Sequence, residues 1–164
     1  MGRTVSFLRG VGRALQRIPA RLAWLPAGLW MGLIWVLSSL SADEGRVGHL
    51  TAFVSNLAHA PAFGLLALWL ALLLPRAQGW PRLDRRAVLA LLAVVLCYGA
   101  IDEWHQSFTP GRDPSALDVL TDVVGGACTL WIVAYLSRPA AAEAGLWRRL
   151  ALGLFLCALT AALA

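Results

Sequence analysis

No lysine occurs among the 164 residues, so all 14 basic residues are arginines. That absence excludes a P-loop and leaves a lipid-phosphatase signature without its amine. Charge of either sign is scarce: charged residues make up 14% of the chain and hydrophobic residues 59%. A soluble domain carries about 25% charged and roughly 45–50% apolar residues, so a separate soluble enzyme domain is excluded. Cys97, Cys128 and Cys157 lie inside apolar runs without Cys-x-x-Cys spacing. They read as small buried hydrophobes and provide neither a thiolate zinc site nor a disulfide framework. There is no His-Glu-x-x-His and no Gly-x-Ser-x-Gly, and the single Asp-x-x-His is not the doubled Glu-x-x-His of di-iron bundles. Internal repeats are also missing, which removes the usual support for transport by inverted repeats.

What the chain has in quantity is long apolar runs. Five, at about residues 22–40, 51–74, 87–104, 116–136 and 146–164, approach the ~20 residues that cross roughly 30 Å of hydrocarbon. Trp24, Trp104 and Trp147 fall near their ends, where amphipathic rings favour the interface. The arginines sort by loop. With the N-terminus in the cytoplasm, Arg3, Arg9, Arg13, Arg17 and Arg21 lie inside, as do Arg76, Arg82, Arg85 and Arg86, and then Arg138, Arg148 and Arg149. Only Arg46 and Arg112 fall outside. The positive-inside rule therefore predicts a multi-pass protein of the bacterial cytoplasmic (inner) membrane with its C-terminus outside. The net charge of +5 is explained by these loops, so the expected partners are membrane lipids and not nucleic acid.

Before the first run, Arg9, Arg13, Arg17 and Arg21 recur every four residues, while Leu8, Val11, Leu15, Ile18 and Leu22 recur at three and four. This predicts an amphipathic helix on the cytoplasmic leaflet. Ser39-Leu40-Ser41 resembles a small-x-small cleavage site, but the run before it exceeds the roughly 7–15 residues of a signal peptide, so an uncleaved helix is expected. The expected fold class is all-α: a polytopic transmembrane helix bundle of about five spans with an N-terminal amphipathic helix. Its expected parts are a basic helix at 1–21, a four-span membrane domain at 22–136, and a linker with the fifth span at 137–164.

Ionisable groups at membrane depth are costly, which makes each one inside a span a functional candidate. The third run closes on Asp102, Glu103, His105 and Gln106. On a helix Asp102 shares a face with His105 and Gln106, while Glu103 projects about 100° away. In the next segment Asp113 is expected to cap a helix whose first turn contains Pro114. Along that helix Asp118, Asp122, Gly125, Gly126 and Thr129 fall on one face, predicting a polar cleft above a tight helix contact. The second run adds Asn56 and His59, the latter roughly 13 Å along its helix at ~1.5 Å per residue. Ser38, Ser39 and Ser41 end the first run at the same level. Arg112 adjoins a helix start, and a guanidinium beside free amides makes a seat for phosphate or carboxylate.

Each of these residues also has an ordinary structural role open to it. A lone His on an apolar face usually packs, paired acids hydrogen-bond neighbouring helices, and Arg112 can bridge Asp113, Asp118 or Glu103. Convergence of all of them on one end is what favours a site. Asp102 and Glu103 end one helix and Asp118 begins another, so helix dipoles favour Asp102 or Glu103 as acid and Asp118 or Asp122 as base. His59 or His105 would relay protons. Arg112, Gln106, Asn56 and Ser39 are the expected substrate-binding residues. A divalent cation, if one is used, would fall to Asp102, His105, Asp118 and Asp122, whose oxygen and nitrogen donors suit magnesium, manganese or zinc.

These residues also carry a resemblance. A mid-helix His59, then Asp102, Glu103, Gln106, Phe108, Pro110 and Arg112, then Asp118, Asp122 and Gly125 or Gly126, resembles the VanZ-like family, named for a protein linked to low-level teicoplanin resistance. The likeness covers about residues 25–136. The stretch from Asp102 to Asp122 is its specific part. The family often has a lysine shortly before its histidine, which this chain lacks. The resemblance implies a cell-envelope protein and supplies no reaction, so function rests on the site.

Three functions compete on this reading. The first is an intramembrane enzyme acting on a phospholipid or lipid-linked envelope precursor from the outer leaflet, with Arg112 holding an anionic group. The second is a non-catalytic binding or accessory protein for envelope precursors or glycopeptide antibiotics. The third, a proton or ion pathway, is opposed by the lack of ionisable groups in the inner half of the spans. Oligomeric state is not encoded in any feature of the sequence.

Overall fold

The computed structural model describes residues 2–40, 49–77 and 80–164; Ser41 and Arg46, both named above, lie outside the described residues. The described chain forms α1 (Arg3–Leu15), a 3-10 turn (Ala20–Leu22), α2 (Trp24–Ser38), α3 (His49–Ala71), β1 (Arg76–Ala77), β2 (Trp80–Pro81), α4 (Arg85–Gln106), α5 (Ala116–Leu136) and α6 (Glu143–Leu163). The two strands pair antiparallel in a minimal hairpin between α3 and α4. The expected all-α membrane bundle is therefore the fold.

Four helices, α3 to α6, are long and apolar enough to cross a membrane, with 23, 22, 21 and 21 residues. The first expected span differs. Its helix, α2, has 15 residues, about 22 Å at ~1.5 Å per residue. The apolar run at 22–40 is longer than the helix because both ends are taken up by turns. A 3-10 turn occupies Ala20–Leu22. At the far end the Ser38 and Ser39 hydroxyls both donate to the Trp35 carbonyl, at 3.1 and 2.6 Å. Such local side-chain bonds compete with continuation of the helix.

Helix α5 packs against α3, α4 and α6 and is the hub of the bundle. Below the polar end the core consists of Phe63, Leu66, Ala67 and Leu70 from α3, Leu91, Val95 and Tyr98 from α4, and Leu130 from α5, with Ala27 and Ile34 of α2. Two polar tips pin α2 to this core: the Trp30 indole donates to the Ala62 carbonyl at 2.8 Å, and the Tyr98 hydroxyl donates to that of Met31 at 2.6 Å. Helices α3 and α5 meet on small residues. A Cβ added at Gly125 would overlap the Ala60 backbone, and one at Gly64 would stand 2.6 Å from Thr129 Oγ1. In lipid, where apolar burial does not drive helices together, close approach of this kind is a main source of association.

Two helix starts follow side-chain capping chemistry. Asp84 accepts from the Ala87 amide at 2.9 Å to open α4, and Ser115 accepts from Leu117 at 3.1 Å to open α5. The cap of α5 is thus Ser115 and not Asp113, which lies exposed in the preceding turn. Gly111 in that turn has φ 75°, a left-handed conformation that glycine adopts without the Cβ clash.

Helix α1 seats at the opposite end of the bundle, where α5 turns into α6. Val5 is fully buried with Tyr135, Leu136, Ala141 and Leu146. The Val5 amide donates to Glu143 Oε1 at 2.9 Å, and Arg9 donates to the Leu136 carbonyl at 2.9 Å and also to that of Arg138. The helix ends at Leu15, short of residue 21, ahead of Pro19. Arg76 reaches the Gln16 and Ile18 carbonyls beyond it. One end of the bundle is therefore arginine-rich and tied together through backbone carbonyls, and Asp102, Glu103, Asp118 and Asp122 lie at the other.

Candidate functional site

The acid end is assembled from four helices. Asp102 and Glu103, one residue apart near the end of α4, turn toward different neighbours. Asp102 accepts from Ser38 of α2 at 2.6 Å through Oδ1 and from Gln106 at 2.9 Å through Oδ2. Glu103 accepts from Gln106 at 3.2 Å through Oε1 and from the Ser115 amide at 2.8 Å through Oε2. Gln106, one turn further on, thus bridges both acids and fixes their relative position. The Ser115 bond joins the end of α4 to the first amides of α5.

Helix α3 contributes His59, whose Nδ1 lies 3.0 Å from Asp122 Oδ1 on α5. The pair is set by the small-residue seam. His59 and Ala60 stand against Asp122 and Gly125, and the close approach at Gly125 brings imidazole and carboxylate within bonding distance. Asp122 is fully buried. Its second oxygen lies against Gly99, where a Cβ would stand 2.5 Å from Oδ2. Asp118, one turn earlier on α5, is also buried. Asp118 Oδ1 and Asp122 Oδ2 are buried side-chain oxygens with no hydrogen-bond partner among the described residues.

Beside this cluster a pocket of about 220 Å³ opens between α2 and α3. Its walls are Ile34, Leu37, Ala58, Ala62 and Phe63; Ser38, Ser55, His59, Asp102 and Gln106 supply the polar lining, and Arg112 borders it. The Arg112 guanidinium donates to the Leu40 and Leu37 carbonyls at 3.3 and 3.4 Å, at the end of α2. The bridge to Asp113, Asp118 or Glu103 considered above is not among the ion pairs of the described residues, which are His59 with Asp122 and Arg82 with Asp84.

Of the ten residues singled out in the sequence, His59, Asp102, Glu103, Gln106, Asp118 and Asp122 come together, and Arg112 stands at the pocket's edge. Three do not join them. His105 stacks on Trp35 with ring centroids 3.8 Å apart, and its Nε2 lies 2.9 Å from Ser39 Oγ, so His105 and Ser39 pair with each other on the outside of the α2–α4 contact. Asn56 turns away from the pocket, its amide donating to the Ala161 carbonyl of α6 at 3.5 Å. The reason is rotation around the helix. Asn56, three residues before His59, is offset by about 60° around α3, and from there its amide meets α6 and not the pocket. The same geometry separates the expected metal quartet of Asp102, His105, Asp118 and Asp122. The cluster whose donor atoms lie within 4.8 Å of one another is instead His59, Glu103 and Asp118.

Among the residues that do build the site, Ser38 and Ser115 are bonded to the acids, whereas Ser39, the expected substrate-binding serine, pairs with His105, and Asp113, the expected helix cap, lies exposed. A helix-end serine gives no sequence signal for which of two adjacent hydroxyls points inward. Phe63, the apolar residue one turn after His59, stacks on that ring with centroids 6.3 Å apart, and nothing but this spacing marks it in the sequence.

No curated protein and no solved structure matches the chain. The family model described as VanZ/LLP1 matches residues 23–137. That match takes in α2 to α5, and with them every residue of the acid cluster and its pocket, and it establishes the chain as a membrane protein belonging to the VanZ/LLP1 family.

Proposed function

We propose that this protein is an enzyme of the bacterial cytoplasmic membrane that takes an amphiphilic envelope lipid, or a lipid-linked precursor, into the pocket from the outer leaflet and acts on it by acid–base chemistry. The observation that carries this reading is the pocket's make-up: apolar walls from α2 and α3, polar groups His59, Asp102 and Gln106, and Arg112 at its edge. At about 220 Å³ it is smaller than the roughly 300–1,000 Å³ of drug-sized sites, and suits a headgroup whose acyl chains stay in the bilayer. Arg112 suits an anionic group on such a lipid. The His59–Asp122 pair has the arrangement of a general base oriented by a carboxylate; Glu103 and Asp118 each have an oxygen within 4.8 Å of the imidazole, and Asp102 lines the same pocket. The loop arginines, twelve of the fourteen on one side of the spans, support placing this end away from the cytoplasm.

The test is purified protein in detergent, incubated with extracted envelope lipids and followed by mass spectrometry. A product that disappears with His59→Gln and Asp122→Asn is the expected result. Turnover unchanged in both variants removes the acid–base assignment.

One observation favours a second reading, binding without turnover. Both oxygens of Asp102 and of Glu103 are already bonded within the protein, which makes a rigid polar surface more suited to recognition than to proton transfer. In that case the same incubation retains lipid stoichiometrically and yields no product. A proton pathway has the least support, because the core beneath the acid cluster is apolar.

A further inference from the structure

The acid cluster contains more carboxyl oxygens than the hydrogen bonds among the described residues satisfy. Asp102, Glu103, Asp118 and Asp122 are all buried, and they share the space with one imidazole. Among the described residues, the guanidinium that borders the pocket, that of Arg112, is turned to the carbonyls at the end of α2. Buried charge at membrane depth is retained where it pairs or binds an ion.

We infer that His59, Glu103 and Asp118, one ligand from each of α3, α4 and α5, form a binding site for a single divalent transition-metal cation such as zinc or manganese. Their donor atoms lie within 4.8 Å of one another. Donor atoms bonded to one ion at ~2 Å stand roughly 3–4 Å apart, so a small side-chain rotation closes the set. A second observation points the same way: among the described residues Asp118 Oδ1 is buried with no hydrogen-bond partner. The surroundings also fit. Asp122 holds the His59 ring through Nδ1, the kind of carboxylate bond that orients metal-binding imidazoles. Gln106 and the Ser115 amide hold Glu103 in the same way. One nitrogen and two oxygens from the protein leave coordination positions for water or an anionic headgroup, as in catalytic sites. The donor set suits zinc or manganese better than calcium, which takes 6–8 oxygens.

The inference goes beyond the proposed lipid chemistry and is tested without any lipid. Protein purified on a non-histidine tag is stripped with chelator, incubated with zinc or manganese alone, desalted, and its metal content measured by mass spectrometry. One ion per chain is expected, accompanied by a rise in the thermal unfolding midpoint. Asp118→Asn and Glu103→Gln should each lower metal affinity at least 100-fold, and Asp122→Asn about 10- to 100-fold. His105→Gln should bind as the parent does, which separates this triad from a set that includes His105. X-ray absorption on the parent protein provides the check that needs no variant to fold: one imidazole with oxygen neighbours is expected. Absence of saturable binding, loss of metal on His105→Gln, or a spectrum with two or more imidazoles overturns the site. Any of these results leaves the lipid reading standing, because that is decided by product and not by metal.

Discussion

Asp102 depends on a hydroxyl from another helix for one of its two oxygens. The Ser38 bond is 2.6 Å long, and both residues are buried. Removing one partner of a buried pair costs about 1–3 kcal/mol, because the remaining group keeps its desolvation penalty. Ser38→Ala should therefore lower the unfolding free energy in detergent by about that amount. The adjacent Ser39→Ala removes a bond to His105 at the exposed edge and should stay within about 0.5 kcal/mol. Equal effects of the two replacements would mean the buried bond has no special weight. Arg112 allows a test of recognition at the same scale. Arg112→Gln removes the positive charge beside the pocket and should weaken binding of anionic amphiphiles about tenfold or more, while zwitterionic lipids bind as before. Isothermal titration with matched lipids in detergent measures it, and equal losses for both lipid classes would assign Arg112 to holding α2 alone.

Helices impose these positions through their spacing, and the α3–α5 seam is where that is most exacting. A methyl at Gly125 meets the Ala60 backbone, which cannot rotate aside, whereas a methyl at Gly126 meets Leu92, Val95 and Ala67 at 3.5–3.6 Å, ordinary contact distance. Gly125→Ala should thus destabilise by at least the about 1–3 kcal/mol typical of overpacking and pull His59 from Asp122, while Gly126→Ala should be close to neutral. Thermal unfolding of the two purified variants checks it, and the prediction fails if Gly126→Ala is the worse. The sequence carried the seam only in outline. The spacing of Asp118, Asp122 and Gly125 marks one face of α5 because helical period is local information, and the helices themselves follow from apolar runs in the same way. Which of two adjacent serines turns inward, or which side of α3 carries Asn56, depends on how far α3 is rotated against α5 and α6. That rotation is set by packing between segments far apart in sequence. The shortness of α2 has a similar origin: its apolar run continues through residues whose hydroxyls bond back to the helix and end it.

For the molecule as a whole, the two ends of the bundle do different work. The arginine-rich end is bound to itself: Arg9 and Arg76 hold backbone carbonyls at the α5–α6 turn and after α1, so these two side chains serve the fold as well as the charge balance. Other arginines there, among them Arg85, Arg86 and Arg148, are exposed and carry charge at a span end. A translocating bilayer reads that charge, since loops rich in arginine are retained in the cytoplasm. The proposed outer-leaflet placement of the acid pocket rests on this. A periplasm-dependent phosphatase fused after Ala164 should accordingly be active and one fused ahead of α1 inactive, with a cytoplasm-dependent fluorescent reporter giving the reverse. Neutralising Arg85, Arg86 and Arg148 together should shift part of the population to mixed reporter signals while leaving the α1 contacts of Arg9 and Arg76 intact. Active phosphatase at the N-terminal fusion of the parent chain would turn the bundle over. The pocket would then face the cytoplasm, and its substrate would have to be an inner-leaflet lipid.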